Sequence, residues 1–203
     1  EAGSKGKGGL DLLVSDAPAN IADFDSLVVT FSKVRLFMGG KPTEKEISGS
    51  VDLTELVGEK AFEVLSTELD AGTYNKVEMY VSSVEAKVDG NNVIVKVPSS
   101  NLKITKNFEI VEGETVKFVF DINVVKTGKG YNLLPVISKS GVVGEDVDIE
   151  EVECSVDSDC EDLELCQENE CESVNCIEDS DCETGDYCES NECIDIPECT
   201  TDE

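Results

Sequence analysis

The sequence predicts a mainly β protein, in which a β-sandwich with one short helix precedes small disulfide-rich repeats. Three features support this prediction. Apolar and polar residues alternate through most of residues 10–139, which is typical of strands with one buried face. All nine cysteines follow residue 153. From residue 140 onward there are 25 acidic residues and no basic ones, whereas residues 1–139 contain 20 acidic and 16 basic residues. The charge and cysteine boundaries therefore mark a domain boundary near residue 140.

The first domain is predicted to consist of short strands after a flexible, glycine-rich lead over residues 1–9. The predicted strands are, in order, 10–15, 26–37, 47–53, 73–82, 84–89, 92–97, 101–111, 115–125 and 131–138. The segment KVDGNNVIV contains Asp-Gly and Asn-Asn between two alternating runs, which indicates a hairpin. One helix is predicted at 54–65, where the apolar residues have helical spacing: Leu56, Val57, Phe62 and Leu65. Many short strands with a single short helix favour a β-sandwich covering residues 10–139.

Three segments of this domain resemble one known family. They are LLVSDAPANIADFDSLVVTFSKVRL (12–36), LDAGTYNKVEMYV (69–81) and VVKTGKGYNLLPVI (124–137). They are similar to the S/T-D-A-P, L-x-A-G-T-Y and T-G-x-G-Y-x-L-x-P-V-I boxes of an uncharacterised domain found in exported bacterial and archaeal lipoproteins and surface proteins. The resemblance implies a transthyretin-like or immunoglobulin-like sandwich over most of residues 9–138. It implies no established activity.

The polar residues of these boxes are expected to have structural roles. Asp16 is expected to hydrogen-bond backbone N–H groups of a turn, and Pro18 to fix the φ angle there. Tyr74, Tyr80 and Tyr131 occupy positions where the aromatic residues of a sandwich usually pack.

The cysteines form two copies of the pattern C-x5-C-x5-C-x4-C, one beginning at Cys154 and the other at Cys176. Structural zinc sites usually use cysteine pairs two to four residues apart, iron–sulfur sites typically contain C-x2-C, and redox sites use C-x-x-C. The C-x2-C spacing of iron–sulfur and redox sites is absent, and the closest cysteines in each repeat are C-x4-C, at the upper limit of the zinc spacing. Acidic repeats this short cannot bury enough apolar surface to fold alone, so disulfides are favoured over a metal–thiolate cluster. Two disulfide modules are predicted, at 154–175 and 176–198, and an oxidising compartment follows.

The modules are similar to the small C-x3-D-x-D-C-x2-G-x2-C-x4-C repeats of many extracellular proteins. That resemblance implies pairing of the first with the third and the second with the fourth cysteine, which gives Cys154–Cys166, Cys160–Cys171, Cys176–Cys188 and Cys182–Cys193. The first copy lacks the glycine that the second copy has at Gly185, so its turn is expected to differ.

Cys199 is left over after these four pairs. Its context, CTTDE, matches the openings CSVDS and CIEDS of the two modules. We interpret residues 199–203 as the start of a possible third module. An intermolecular disulfide is the competing interpretation, and a free thiol is the remaining one.

Acidic residues inside the modules allow a calcium interpretation. Asp157 and Asp159 form one Asp-Ser-Asp triplet, and Asp179 and Asp181 form the other. Calcium requires six to eight oxygen ligands, and an EF-hand loop also requires glycine at its sixth position, which is missing here. Turn capping by aspartate is the alternative. No other cofactor is expected.

Residues 140–153 are predicted to form either an acidic linker or an extended strand. An extended segment can add to the free edge of another subunit's sheet, and residues 5–14 have the same potential. The predicted partner is therefore a second copy of the chain, joined by strand addition into a homopolymer.

Composition excludes several classes of function. The absence of histidine removes imidazole-based catalysis and imidazole zinc ligands, and the formal charge of −29 disfavours nucleic acid as a partner. No apolar run approaches the length of a membrane span. The 45 acidic residues make carboxylate pairs inevitable by chance, so we expect no enzyme.

The favoured function is that of an extracellular structural or adhesive surface protein that serves as a filament subunit. The alternative is a secreted carbohydrate- or peptide-binding module.

Overall fold

The computed structural model describes residues 6–16, 21–128 and 130–196. The strands of the first domain begin with β1 (Lys7–Asp16), β2 (Ser26–Met38), β3 (Lys41–Asp52), β4 (Lys60–Asp70), β5 (Gly72–Val88), β6 (Asn91–Val93), β7 (Val95–Lys96), β8 (Asn101–Ile110) and β9 (Thr115–Thr127). They are followed by β10 (Gly130–Pro135), β11 (Gly141–Val142) and β12 (Glu150–Glu151). The cysteine region adds β13 (Glu164–Gln167), β14 (Glu170–Ser173), β15 (Asp186–Glu189) and β16 (Glu192–Asp195).

The first domain consists of two sheets. One has the order β12-β4-β1-β9-β10-β7, with β11 also paired to β9; the other has the order β3-β2-β5-β6, with β8 also paired to β5. Within the first sheet, β1 lies between β4, which is antiparallel to it, and β9, which is parallel. The parallel pair runs from Gly9 opposite Thr115 to Asp16 opposite Ile122. The predicted mainly β fold with a disulfide-rich C-terminal region is confirmed.

The core lies between the inner faces of the two sheets, where alternate residues of each strand are buried. β1 contributes Leu10, Leu12 and Val14, all fully buried. An aromatic row crosses the core, in which the ring centroids of Tyr74 and Phe108 are 5.5 Å apart and those of Phe108 and Phe118 are 4.8 Å apart.

The helix predicted at 54–65 is wrong. A short 3₁₀ turn, Leu53–Glu55, is followed by β4, which pairs with β1 along its length. The register shifts by one residue opposite Leu12 and Leu13, so Phe62 and Leu65, three positions apart, both pack against the core. A bulged strand therefore has the spacing that was interpreted as helical, and sheet pairing overrides the weak local propensity.

The described helical segments are 3₁₀ turns of three residues, far shorter than a membrane-spanning helix.

The lead is partly a strand, because β1 begins at Lys7 rather than at residue 10. Since β1 is hydrogen-bonded on both sides within its own sheet, it has no free edge with which to join another subunit. The prediction that residues 5–14 mediate strand addition is therefore wrong for the described residues 7–14.

Residues 141–152 cross the outer face of the first sheet, and we call this segment the strap. β11 pairs with β9, and β12 pairs with β4, so both ends of the strap extend the sheet of their own chain. Between these ends, Val143, Val147 and Ile149 pack on a buried cluster formed by Leu13, Ala61 and Val119. The strap thus contains extended strands, as one of the two interpretations proposed, but its pairing is internal.

Candidate functional site

The two modules have the same disulfide scheme. Cys154 is joined to Cys166 and Cys160 to Cys171, with Cα atoms 5.9 and 5.6 Å apart. Cys176 is joined to Cys188 and Cys182 to Cys193 at the same two Cα separations. These are the pairs that the resemblance to extracellular repeats implies. Cys199 lies outside the described residues.

Each module is closed by the same hydrogen bond at the equivalent position. The side-chain N–H of Asn169 donates to the carbonyl of Cys154, and that of Asn191 donates to the carbonyl of Cys176, both at 3.0 Å. The turn expected to differ is the same in both copies, because Leu163 adopts a positive φ of 60° where Gly185 has 106°. The carbonyls of these two residues accept equivalent bonds from Val174 and Ile196.

The four aspartates considered as calcium ligands cap turns. Asp157 and Asp179 accept the backbone N–H of Cys166 and Cys188 across their modules. Asp159 accepts the N–H groups of residues 155 and 156, and Asp181 accepts those of residues 177 and 178. These bonds lower the pKa of the Asp181 carboxyl. A calcium site at these residues is not supported, because backbone donors already bind oxygens of all four carboxylates.

Among the described residues, one side-chain hydrogen bond joins module 1 to the sandwich. The ammonium of Lys60 donates to the side-chain oxygen of Asn169 at 2.7 Å, and Asn169 is buried. Lys60 begins β4, next to the end of the strap, where the N–H of Val152 donates to the carbonyl of Ala61. This contact links the repeat to the first sheet.

Asn169→Ala is expected to release the module from the sandwich, whereas Asn191→Ala is not. Both residues have positive φ and both close a module, so the two substitutions cost similar amounts within their modules. Only Asn169 also contacts Lys60, which adds about 1–2 kcal/mol. Amide hydrogen exchange at Val152 should accelerate in Asn169→Ala alone. Equal exchange at Val152 in the two variants would contradict the role given to Lys60.

A polar cavity of about 250 Å³ lies between the strap and the end of β1. Its polar lining includes Ser15, Glu59, Asp121, Lys139, Asp146 and Asp148. Ser15 and Asp121 face each other because β1 and β9 are parallel neighbours in register, and the hydroxyl of Ser15 donates to Oδ2 of Asp121 at 2.6 Å. The backbone N–H of Asp121 donates to the hydroxyl of Ser140, which fixes the strap's start beside it.

Two carboxyls at this end of the sheet are buried. Burial, followed by the nearby charge of Asp121, raises the pKa of Asp16 to about 8. Burial also raises the pKa of Asp121 to about 6, although its hydrogen bond from Ser15 and the charge of Lys139 oppose the shift. Neither oxygen of Asp16 has a hydrogen-bond partner among the described residues, nor does Oδ1 of Asp121. The turn that Asp16 was predicted to cap, at residues 17–20, lies outside the described residues.

Sequence reasoning did not single out Asp121. The available signal is its place in KFVFDINVV, where a single carboxylate lies between the apolar residues Phe120 and Ile122. A charged residue in a buried strand is costly unless it is paired, and so warrants a functional hypothesis.

The outer face of the second sheet carries a different cluster, which we call the charged face. Its members on β2, β5 and β8 are Lys33, Arg35, Phe37, Lys76, Glu78, Tyr80 and Lys103, and Glu44 joins them from β3. Arg35 donates to Glu44 at 2.7 Å, and Lys76 lies 3.0 Å from the buried Glu78.

Cations cover the aromatic rings of the charged face. The ammonium of Lys76 lies 3.7 Å from the ring centre of Phe37, and Lys33 and Arg35 lie within 5.3 Å of that of Tyr80. Unlike Tyr74 and Tyr131, which pack in the core, Tyr80 lies on this outer face. A ring whose face is occupied by a cation is not free to stack on a sugar.

Comparison with known proteins places the sandwich in a family. The model of the family described as "Domain of unknown function (DUF4382)" matches residues 7–135. The chain belongs to this family. The DUF4382 match begins at the first residue of β1 and ends at the last residue of β10, so it covers the sandwich and excludes the strap and the modules.

Other comparisons add little to the DUF4382 assignment. No curated protein matches the chain. One solved structure, a leucine-rich repeat protein from Bacteroides thetaiotaomicron VPI-5482, aligns with 63% of this chain and 14% of its own at 13% identity and a TM-score of 0.25. This similarity is too low to support a conclusion about fold or function.

Proposed function

We propose that the protein is an exported structural protein of the cell surface, in which a DUF4382 sandwich is held on a stiff stalk of disulfide modules. The observation that carries this proposal is the repetition of disulfides, capping aspartates and asparagine bonds at equivalent positions of the two modules. A repeat of this kind propagates a fixed geometry from one unit to the next.

The disulfides support an extracellular location. Four disulfides within about 40 residues persist only where thiols are not kept reduced. The high acidic content of the modules keeps them solvated and hinders collapse onto one another.

Self-assembly remains part of the proposal, but by a route other than the strap or β1. The free edge of β3 is a poor acceptor for a further strand, because Pro42 and several charged residues lie along it. Assembly through side chains of the charged face is consistent with the acidic surface of the modules, since this face concentrates Lys33, Arg35, Lys76 and Lys103.

A secreted peptide-binding module is the second candidate. The charged face also favours it, since its cations suit an acidic peptide. A carbohydrate ligand is less well supported because cations cover Phe37 and Tyr80.

Surface labelling of intact source cells tests the main proposal. A membrane-impermeant amine reagent should label the protein, and a maleimide mass shift under denaturing conditions should show no free thiol among Cys154–Cys193. Recovery in the cytosolic fraction with reduced cysteines would refute it. Recovery from the medium as a monomer, measured by light scattering, would favour the secreted binding module instead.

A further inference from the structure

The modules contain carboxylates that no cation of their own can neutralise, because all 16 Lys and Arg residues of the chain lie in residues 1–139. The β15–β16 hairpin of module 2 is crowded with negative charge. Its register places Asp186 opposite Asp195 and Glu189 opposite Glu192. Desolvation, followed by a hydrogen bond to Asp195, raises the pKa of the Asp186 carboxyl. Like charges directly opposite each other destabilise a strand pair, so this hairpin is stabilised by an external cation.

The tip of this hairpin distinguishes module 2 from module 1. Where module 2 has Glu189 opposite Glu192, module 1 has Gln167 opposite Glu170. Both glutamates of the module 2 tip are exposed. Among the described residues, their side chains make one hydrogen bond, in which the hydroxyl of Tyr187 donates to Glu189 at 3.4 Å. The two carboxylates are therefore accessible to a partner.

The charged face has the opposite imbalance. Two of its carboxylates are each shared by two cations, at distances between 2.7 and 3.8 Å. Glu46, opposite Lys33 in the register, is a third carboxylate, so four cations face three carboxylates. The side chains of the four cations are between 31 and 54% exposed. The shared groups are Glu44, with Lys33 and Arg35, and Glu78, with Lys76 and Lys103.

Lys103 is the cation of this face with the longest internal ion pair. Its ammonium lies 3.8 Å from Glu78, whereas Lys76 lies 3.0 Å from the same carboxylate, and the Lys103 side chain is 54% exposed. Glu78 lies opposite both Lys103 and Arg35, so these two cations are two strand spacings apart, about 10 Å. Two glutamates directly opposite each other, with Cβ atoms about 5 Å apart, can reach both cations at once.

The modules of one chain are held away from its own charged face. Lys60 joins module 1 to the first sheet, whereas the charged face is the outer surface of the second sheet, on the other side of the core. In residues 6–16, 21–128 and 130–196, no hydrogen bond or ion pair joins module 2 to the sandwich. A contact between the tip and a charged face therefore joins two copies of the chain.

We propose that the tip of module 2, Glu189 and Glu192, docks on the charged face of a second copy between Arg35 and Lys103. The two surfaces differ, so the contact is heterologous and repeats head to tail from copy to copy. It pairs opposite charges, whereas contacts between modules bring like charges together. This inference rests on the proposed function, because it assigns the self-assembly to one contact.

Sedimentation velocity of the full chain at several protein concentrations tests this contact. At about 20 mM salt the average mass should rise with protein concentration, and at about 0.5 M salt it should return to that of a monomer. Lys103→Glu should raise the dissociation constant about tenfold, and Lys76 still pairs with Glu78 in this variant. Lys87→Glu changes the net charge equally at another exposed cation of the second sheet, and should associate as the wild type does.

A reciprocal charge exchange separates docking at this site from a general effect of net charge. Glu192→Lys should also weaken association about tenfold, and it should fold because it places opposite charges across the hairpin tip. Glu170→Lys, at the equivalent position of module 1, is its matched control and should associate as the wild type does. Combining Lys103→Glu with Glu192→Lys should restore most of the association.

The inference is overturned if the chain stays monomeric at low salt, or if the two controls weaken association as much as the tested variants do. It is also overturned if the combined variant associates no better than Lys103→Glu. A monomeric chain that binds polyglutamate would favour the secreted binding module over docking between copies. Export is decided separately by surface labelling, so a failure of this contact is distinguishable from a failure of the surface location.

Discussion

Replacing Cys154 and Cys166 by serine is expected to unfold module 1 and leave the sandwich folded. Closing a loop of this length contributes about 3 kcal/mol in the chain-entropy model. The Cys160–Cys171 disulfide is retained in this variant, but the module buries few side chains, and Cys154 is one that is fully buried. Loss of the disulfide therefore removes one of the two covalent links of the module together with a fully buried side chain.

Limited proteolysis followed by mass spectrometry measures this outcome. Cleavage should appear between residues 154 and 175, while the fragment containing β1 to β10 stays resistant. The pair Cys176→Ser and Cys188→Ser is the matched control, and should expose residues 176–196 and spare module 1. If either double variant leaves its module protected, the disulfide between the first and third cysteines is not required to keep that module ordered.

Asp16→Asn is expected to stabilise the sandwich by about 5 kcal/mol at pH 8 and to change it little at pH 4. The folded-state pKa of Asp16 is about 8, against 3.8 for an ordinary aspartate. The folded protein therefore binds the proton more tightly than the unfolded chain, and wild-type stability falls as pH rises from about 4 to about 8. Each pKa unit corresponds to about 1.4 kcal/mol. Asparagine cannot ionise, so the variant does not lose this stability as the pH rises.

Urea unfolding at pH 4, 6 and 8 gives the free energies of unfolding that decide this prediction. Asp11→Asn is the control, because Asp11 is on the same strand but faces outward and accepts a bond from Ser66. It should show the wild-type pH dependence. A pH slope in Asp16→Asn as steep as that of the wild type would show that Asp16 is ionised at little cost.

Local patterns predicted the strands that bury one face. β2 was placed within one residue at its end, because alternation from Leu27 to Phe37 is regular except at one bulge. The module boundaries followed from cysteine spacing, which is covalent information and needs no knowledge of tertiary contacts. The first half of β3 was missed since Lys41–Glu46 is charged and exposed at a sheet edge, where no alternation is required.

The polar cavity could not be predicted from local sequence patterns. Ser15 and Asp121 meet through a parallel pairing between strands that are 106 positions apart, and the strap closes over them from a third region. A periodic pattern within one segment does not predict a contact between segments that are distant in the sequence. The helix error has a similar origin, because the bulge that lets Phe62 and Leu65 share a face exists only when β4 lies against β1.

The same parallel pairing constrains the order in which the chain acquires its shape. β1 is synthesised before its neighbour β9, which ends only at Thr127. The first sheet therefore cannot close until the 106 positions that separate Ser15 from Asp121 have emerged, and closing so long a loop is slow. Each disulfide, by contrast, spans 11 or 12 positions and forms locally. The modules can therefore form their disulfides independently of the sandwich, before or after the first sheet has closed.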